Sequence, residues 1–472
     1  MRSPPPPRFI DVFAGCGGLS LGLLEAGWSG VFAVEKNPLA FETLRHNLVD
    51  GTHHTFDWPD WLPKQSMTCE DLLEKFKERL QGLAGQIDLI VGGPPCQGFS
   101  MAGRRNPADP RNKLTEQYLS VVQEIQPRFL VIENVAGFDI QFEDEEGLDK
   151  LLGVGESNTY AEYVASRLTE IGYEVHRGLV NCADFGVPQS RFRYLMICQR
   201  RDLGLQARNM LDALKEAKGT FKLARGIPMD QHVSAKEAIS DLETTDRRLA
   251  PNRDGGVSGF RELAYTEPVK LTAFQTLMRR KAKGTAPNSL RLANHRPDTI
   301  DYFHRVRAVC RPGIALSVRE RAALGTKKHS TTVLNASTPA PTVTTLPDDI
   351  LHYDEPRILT VRECARLQSF PDWFAFQGKY TTGGKHRKQE CPRYTQVGNA
   401  VPPLLAEAIG ELLLPFATAR TNPEIVAPEG NVPPLPIRKI QQIGAFFSPT
   451  VDEVGPLRIE MLDFRLRERV PP

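Results

Sequence analysis

Through the first two hundred residues, short continuous apolar runs alternate with longer amphipathic segments. Phe9–Phe13, Gly30–Val34, Ile87–Val91, Phe129–Ile132, Tyr173–Val180 and Tyr194–Cys198 are strand-like. Their apolar residues run on without alternating, the pattern of strands covered on both faces of a parallel sheet. Between them, Leu19–Ala26 (closed by Gly27), Pro38–Leu48, the DLLEKFKERL run, Leu114–Ile125 and Tyr160–Ile171 (closed by Gly172) read as helices. Gly51–Met67, with Trp58 and Trp61, has no regular period. The pattern predicts an α/β fold with a doubly wound, mostly parallel sheet.

Near Arg200 the alternation fades into Gly/Pro-rich irregular sequence, the mark of a smaller, mixed second domain. From Thr338 the texture tightens. In ILTVRECARLQSFPDWF, Leu359, Cys364, Ala365 and Leu367 suit one face of a helix, and RYTQVGN reads as a polar turn feeding an apolar helix, Pro403–Leu414. The expected organisation is 1–199 as the main domain, 200–390 as the small domain, 391–418 as a return segment, and 419–472 as a Pro-rich linker with a C-terminal extension.

Composition narrows the class. Of 472 residues, 40% are hydrophobic and 25% charged, as in globular proteins and unlike disordered ones. No apolar run reads as a membrane span, and the opening MRSPPPPRFI lacks the core of a signal peptide, so a cytoplasmic chain without a membrane partner is expected. The eight cysteines are scattered with no C-x-x-C pair, which argues against zinc and against a disulfide framework. Net charge is only +2, yet Lys270–Lys328 holds fourteen Lys/Arg against three Asp/Glu. Such a block is a solvated face or a phosphate-facing one.

Candidate chemistry sits where the strands end. The strand at Ile87–Val91 is stopped by Gly92-Gly93-Pro94-Pro95, and Cys96 follows. A thiol just past the carboxyl end of a central strand is either a buried structural cysteine or a nucleophile. Glu133 ends the Phe129–Ile132 strand, so two neighbouring strands would present a thiol and a carboxylate at one edge, as a nucleophile and its acid/base partner require. Arg191 and Arg193, two apart in extended chain, would point the same way, as surface arginines or as a paired guanidinium clamp. At the start, Gly15, Gly17 and Gly18 make a turn between strand and helix, and Glu35 follows the second strand about 20 residues on, placed for a ribose. That arrangement suits NAD, FAD or S-adenosylmethionine, and its departure from G-x-G-x-x-G favours a cofactor without a pyrophosphate.

DVFAGCGGLSLGL, GGPPCQGFS, ENV, QSRFR, RECARLQSFPD and QVGNAVPP, in that order, resemble the motifs of bacterial-type DNA (cytosine-5-)-methyltransferases from about Phe9 to Leu414. The resemblance implies a Rossmann-like, S-adenosylmethionine-dependent methyltransferase fold with no metal. It implies that the Cys96 thiolate adds to C6 of a cytosine flipped out of duplex DNA, making C5 nucleophilic towards the sulfonium methyl. Glu133 would contact N3 and the exocyclic amine, and Arg191 and Arg193 would orient base and sugar-phosphate, Arg193 nearer O2. The loop Gly98–Asn112 would close over the base, with Gln97, Ser100, Arg104 and Arg105 contacting DNA. Phe13, Gly15, Gly17, Gly18 and Leu19 would surround the methionine part of the cofactor and Glu35 would hold its ribose. Asp71, or alternatively Glu70, would meet the adenine amine, and Leu114, Asn399 and Val401 would complete the pocket. The variable region between QSRFR and PTVTT would read the DNA sequence. The implied setting is a monomer acting on double-stranded DNA in a bacterial cytoplasm, at the nucleoid when active, as an orphan methylase or paired with a restriction endonuclease. An RNA (tRNA) cytosine-5 methyltransferase is the alternative, but its Cys-Phe-Thr signature is not found here. A catalytically dead DNA-binding module and a nicotinamide oxidoreductase explain less, the first because Cys96, Glu133 and both arginines are present, the second because PPCQ, QSRFR and GNAVPP would have no purpose.

Overall fold

Six strands carry the architecture of the computed structural model, which describes residues 5–95, 113–139, 159–204, 209–254, 256–382 and 389–418. The chain divides into two compact units, Met1–Ile425 and Val426–Pro472, and the described residues all belong to the first. In chain order, β1 (Arg8–Val12), α1 (Gly18–Glu25), β2 (Ser29–Val34), α2 (Pro38–Leu44), α3 (Cys69–Gln81), β3 (Leu89–Gly92), α4 (Lys113–Ile125), β4 (Phe129–Val135), α5 (Tyr160–Glu170), β5 (Tyr173–Asn181) and β6 (Phe192–Arg200) build a sheet ordered β2-β1-β3-β4-β6-β5. The pairs β1–β2, β1–β3 and β3–β4 are parallel, and β6 runs antiparallel to both its neighbours.

Alternate residues of each strand feed two cores, which is why the sequence shows apolar runs. Phe9, Leu89, Val91, Phe129, Val131, Leu195 and Ile197 face one layer. Ile10, Val12, Ile90, Leu130, Ile132, Met196 and Cys198 face the other, under α3, α4 and α5. Winding reverses between β1 and β3, so the crevice at the carboxyl ends of these two strands is the usual ligand site of such a sheet.

Beyond β6 come α6 (Met210–Leu223), α7 (Ala235–Ile239), the hairpin β7 (Leu249–Pro251) and β8 (Arg261–Leu263), α8 (Ala273–Arg279), α9 (Pro297–Val309), α10 (Val318–Leu324) and the parallel pair β9 (Thr332–Val333) and β10 (Ile350–Leu351). They are followed by α11 (Val361–Leu367), α12 (Arg393–Asn399) and α13 (Pro403–Thr418). The PTVTT and ILTVRECARLQSFPD stretches send Val343, Leu359, Val361, Ala365, Leu367 and Phe370 into the core that also holds Phe9 and α1.

Three expectations change. Helix α11 has no single apolar face: all seven residues are buried, and Arg366 pairs with Asp241 at 3.1 Å and Asp372 at 2.5 Å, which satisfies a charge that burial would otherwise forbid. RYTQVGN is helical, not a turn, because Arg393 bonds Asp254 at 2.7 Å and Ser289 at 2.9 Å while the Tyr394 hydroxyl donates to Leu359 O at 2.7 Å. One run among the described residues, Arg393–Thr418, is long and apolar enough to cross a membrane, contrary to the reading of the chain, but 67% of its apolar window is buried inside the protein as a core helix. The α1–α13 contact uses glycine: a Cβ on Gly22 would lie 2.3 Å from Pro403 O, and one on Gly18 would lie 2.3 Å from Val401 O.

Candidate active site

Strand ends gather the chemistry. After β1, Phe13 (φ 66°), Gly15 (φ 57°) and Gly17 (φ 95°) are left-handed, and a non-glycine residue there is strained, a feature that clusters at ligand sites. At Gly15 an added Cβ would meet nothing within 4 Å, so the backbone faces open space. The Gly15 N–H donates to Glu35 Oε2 at 2.9 Å and the Asn37 N–H to Glu35 Oε1 at 2.6 Å. Burial raises the Glu35 carboxyl above its ordinary value against those two bonds.

The other expected cofactor residues divide. Gly17 and Gly18 serve packing: a Cβ on Gly17 would meet Leu48 Cδ1 at 2.9 Å, and Gly18 lies against Val401 O. The Leu19 side chain is in the core, 4% exposed. Leu114 and Val401 are half-buried and Asn399 is exposed. Asp71 is occupied elsewhere: its Oδ2 accepts from the Thr68 hydroxyl at 2.7 Å and it forms an ion pair with Lys75 one turn on, which lowers its carboxyl to about 2. Its neighbourhood is nevertheless right, because Met67 N–H donates to Glu35 O at 2.9 Å. Glu70 is exposed.

Glu133 and Arg193 come together: Nε of Arg193 is 2.6 Å from Oε1 of Glu133, and both residues are buried. Gly92 is in register with Ile132, so Gly93 lies beside Glu133, and a Cβ there would be 3.2 Å from Oε2. Asn134, which the sequence reading passed over although it stands in ENV, donates through Nδ2 to Pro94 O at 3.0 Å and pins the segment that leads to the thiol. Cys96, Gln97, Ser100, Arg104 and Arg105 lie outside the described residues.

Arg191 does not join Arg193 in a clamp. Its Nη1 donates to Val343 O at 3.1 Å and its Nη2 to Gly398 O at 2.9 Å and Ala400 O at 3.2 Å. The side chain is 2% exposed, and burial with Arg193 nearby lowers its pKa to about 9. It is a tie between QSRFR, PTVTT and GNAV. Gln189 extends the tie, accepting from Val343 N–H at 2.8 Å and donating to Leu367 O at 3.0 Å. The alternation rule gave both arginines one side of the chain but could not foresee that two distant segments would fill the space in front of the first.

A winding reversal with a glycine turn on one side, and a carboxylate–guanidinium pair beside the end of β3 on the other, define a candidate ligand crevice of the open α/β class. Residues 7–414 match the family model described as C-5 cytosine-specific DNA methylase. The Type II methyltransferase M.DdeI of Desulfomicrobium norvegicum is 32% identical over 416 residues, spanning 86% of this chain and 88% of that protein. M.XorII of Xanthomonas oryzae pv. oryzae is 30% identical over 429 residues, spanning 89% and 86%. Among solved structures, a protein from Escherichia coli described as a candidate prophage-encoded DNA modification methyltransferase aligns with TM-score 0.56 and 25% identity, covering 86% of this chain and 98% of that one. The chain belongs to the C-5 cytosine-specific DNA methylase family and is a DNA cytosine-5 methyltransferase.

Proposed function

We propose that the chain methylates C5 of a cytosine turned out of duplex DNA, with Cys96 as nucleophile and S-adenosylmethionine as methyl donor. The observation that carries the reading is the Glu133–Arg193 pair, closed at 2.6 Å beside Gly93 at the foot of Pro94-Pro95-Cys96. Pro94, two residues before Cys96 in sequence, is held by Asn134 beside the carboxylate. Cys96 would add to C6, and Glu133 would hold the N3 side and exocyclic amine so that charge does not accumulate on the ring. Arg193, paired with Glu133, would orient it and lie beside the base. Arg191 acts one step back, as a positioning residue.

The residues around the glycine turn fit the donor. Gly15 leaves open space beside the backbone, and Glu35 presents a carboxylate at the ribose position after β2. When bound, the donor supplies an electrophilic methyl on a sulfonium. Phe13, Gly15 and Glu35 would hold it, with Leu114, Asn399 and Val401 at the rim and the Asp71 segment towards adenine. The Type II names of the relatives support a restriction–modification setting.

Purified protein given methyl-tritiated S-adenosylmethionine and duplex DNA is expected to yield 5-methylcytosine, and Cys96→Ala is expected to yield none. Tritium on the exocyclic amine, or product from the alanine variant, overturns the assignment.

A further inference from the structure

The fourteen cations between Lys270 and Lys328 do not act as one surface. Arg279 is bonded to Glu267 and Asp372, at 2.6 and 3.2 Å. Lys281 holds Glu25 at 2.8 Å, and Arg291 lies between the rings of Phe260 and Tyr380, 4.1 and 3.7 Å from their centroids. Arg307 faces Asp354 at 3.8 Å, and Lys328 faces Asp348 at 2.7 Å. By contrast Lys270, Arg280, Lys283, Arg296, Arg305, Arg311, Arg319 and Lys327 are exposed, and among the described residues none has a carboxylate oxygen within 4.0 Å; Arg311 and Arg319 are the ones that flank exposed apolar side chains on a single short stretch. Glu320, near Arg311, is turned to its own helix, where it accepts from Ser317 N–H at 2.6 Å.

The same stretch leaves branched apolar side chains outside: Val309 is 44% exposed, Ile314 51% and Val318 65%. Helix α10 buries none of its residues. Seven residues are far too few for a helix to persist in water by itself, so its ends must hold it. Ser317 and Glu320 form a capping box at one end and Gly325, at φ 65°, closes the other. Leu316 anchors the approach in a small core with Phe303, Val306 and Val333. The result is a fixed ledge of alternating cationic and apolar side chains that the fold itself does not use.

We propose that this ledge, Val309 to Arg319, lies against the DNA duplex and sets which sequence is methylated. Arg311 and Arg319 supply guanidinium forks for guanine edges and phosphates, and Ile314 and Val318 supply apolar contact for thymine methyls. Unpaired positive charge favours a polyanion as the occupant. The inference rests on the reading of the chain as a DNA methyltransferase and names the part of it that reads.

The test uses the full chain. Bisulfite sequencing of genomic DNA treated with the purified protein gives the methylated sequence, and a duplex carrying it is the binding probe. The R311A/R319A double variant is expected to weaken duplex binding at least about tenfold and to reduce the slope of log K against log salt by about 2. Replacement of both by Lys should keep most of the affinity and slope but change the set of methylated sequences, because the bidentate fork is lost. Lys215→Ala, an exposed lysine on α6, should change nothing. Wild-type affinity, slope and methylated set in R311A/R319A overturn the proposal, as does an effect on self-association alone. The Lys variants and Val318→Ser carry the same test if the alanine variant melts early. If the wild type makes no 5-methylcytosine but binds the same genomic DNA and R311A/R319A does not, the reading of the chemistry fails and the ledge stands.

Discussion

Asp11 is fully buried in β1, where Oδ2 accepts from the Ser20 hydroxyl at 2.5 Å and Oδ1 has no partner among the described residues. Burial raises its pKa from 3.8 to about 7, the Ser20 bonds opposing and Glu35 adding. In the unfolded chain the group ionises near its ordinary value, so between about pH 4 and pH 7 the folded state holds the extra proton. Its stabilisation is therefore complete below about pH 4 and is lost as pH rises through 7, by at most about 4 kcal/mol. The melting temperature of the wild type should fall from pH 5 to pH 8 by more than that of Asp11→Asn, followed by circular dichroism; parallel profiles would show that Asp11 does not titrate there. Nothing in DVFAGCGG marks this aspartate, because its singularity comes from burial and a missing partner, which are properties of the assembled turn. Glu133 was legible for the opposite reason: position at a strand end is a property of local sequence, and the strand register then delivers it to Gly93.

At the scale of elements, α1 and α13 show how much a pairing can hide. Each helix is plain in the sequence as an apolar run, but nothing local joins Gly22 to Pro403 across nearly 400 residues of chain. Gly17 and Gly18 read as cofactor residues, and in the structure their missing Cβ positions are taken up by Leu48 and by Val401 O. Gly22→Ala would place a methyl 2.3 Å from Pro403 O and 2.4 Å from Ala406 Cβ, so it should cost about 1–3 kcal/mol as overpacking. Ala406→Gly in the same chain should recover part of the loss, and simple additivity of the two changes in urea unfolding would show that the contact does not limit the approach. Helices α11 and α12 were misread for a related reason: their charged residues count as surface residues until partners close on them, Asp241 and Asp372 on Arg366, Arg357 on Glu363, Asn288 on Arg362 and Asp254 on Arg393.

For the molecule as a whole, these long-range partners decide what can fold alone. The core that contains Phe9, Leu89 and Val131 also contains Val343, Phe370, Val397 and Leu405. Trp28 donates its indole N–H to Gly410 O at 3.0 Å, and Arg128 donates to Ala417 O at 2.7 Å. Arg191 and Gln189 bind QSRFR to segments that begin 150 residues later. Residues 1–199 contain every strand of the sheet, yet expressed alone they would expose the apolar face of α1 and leave the Arg191 guanidinium with only Gln189 of its present partners. The half of the core that these later segments complete would then stand open to water, a loss of apolar burial comparable to the whole stability of many domains. Fragment 1–199 should therefore lack a cooperative thermal transition and bind a hydrophobic dye, whereas addition of a second fragment, 200–418, should restore both the transition and binding of S-adenosylhomocysteine. A cooperative melt from 1–199 alone would show that the sheet and its first helices suffice, and that the site is completed by docking onto a finished domain.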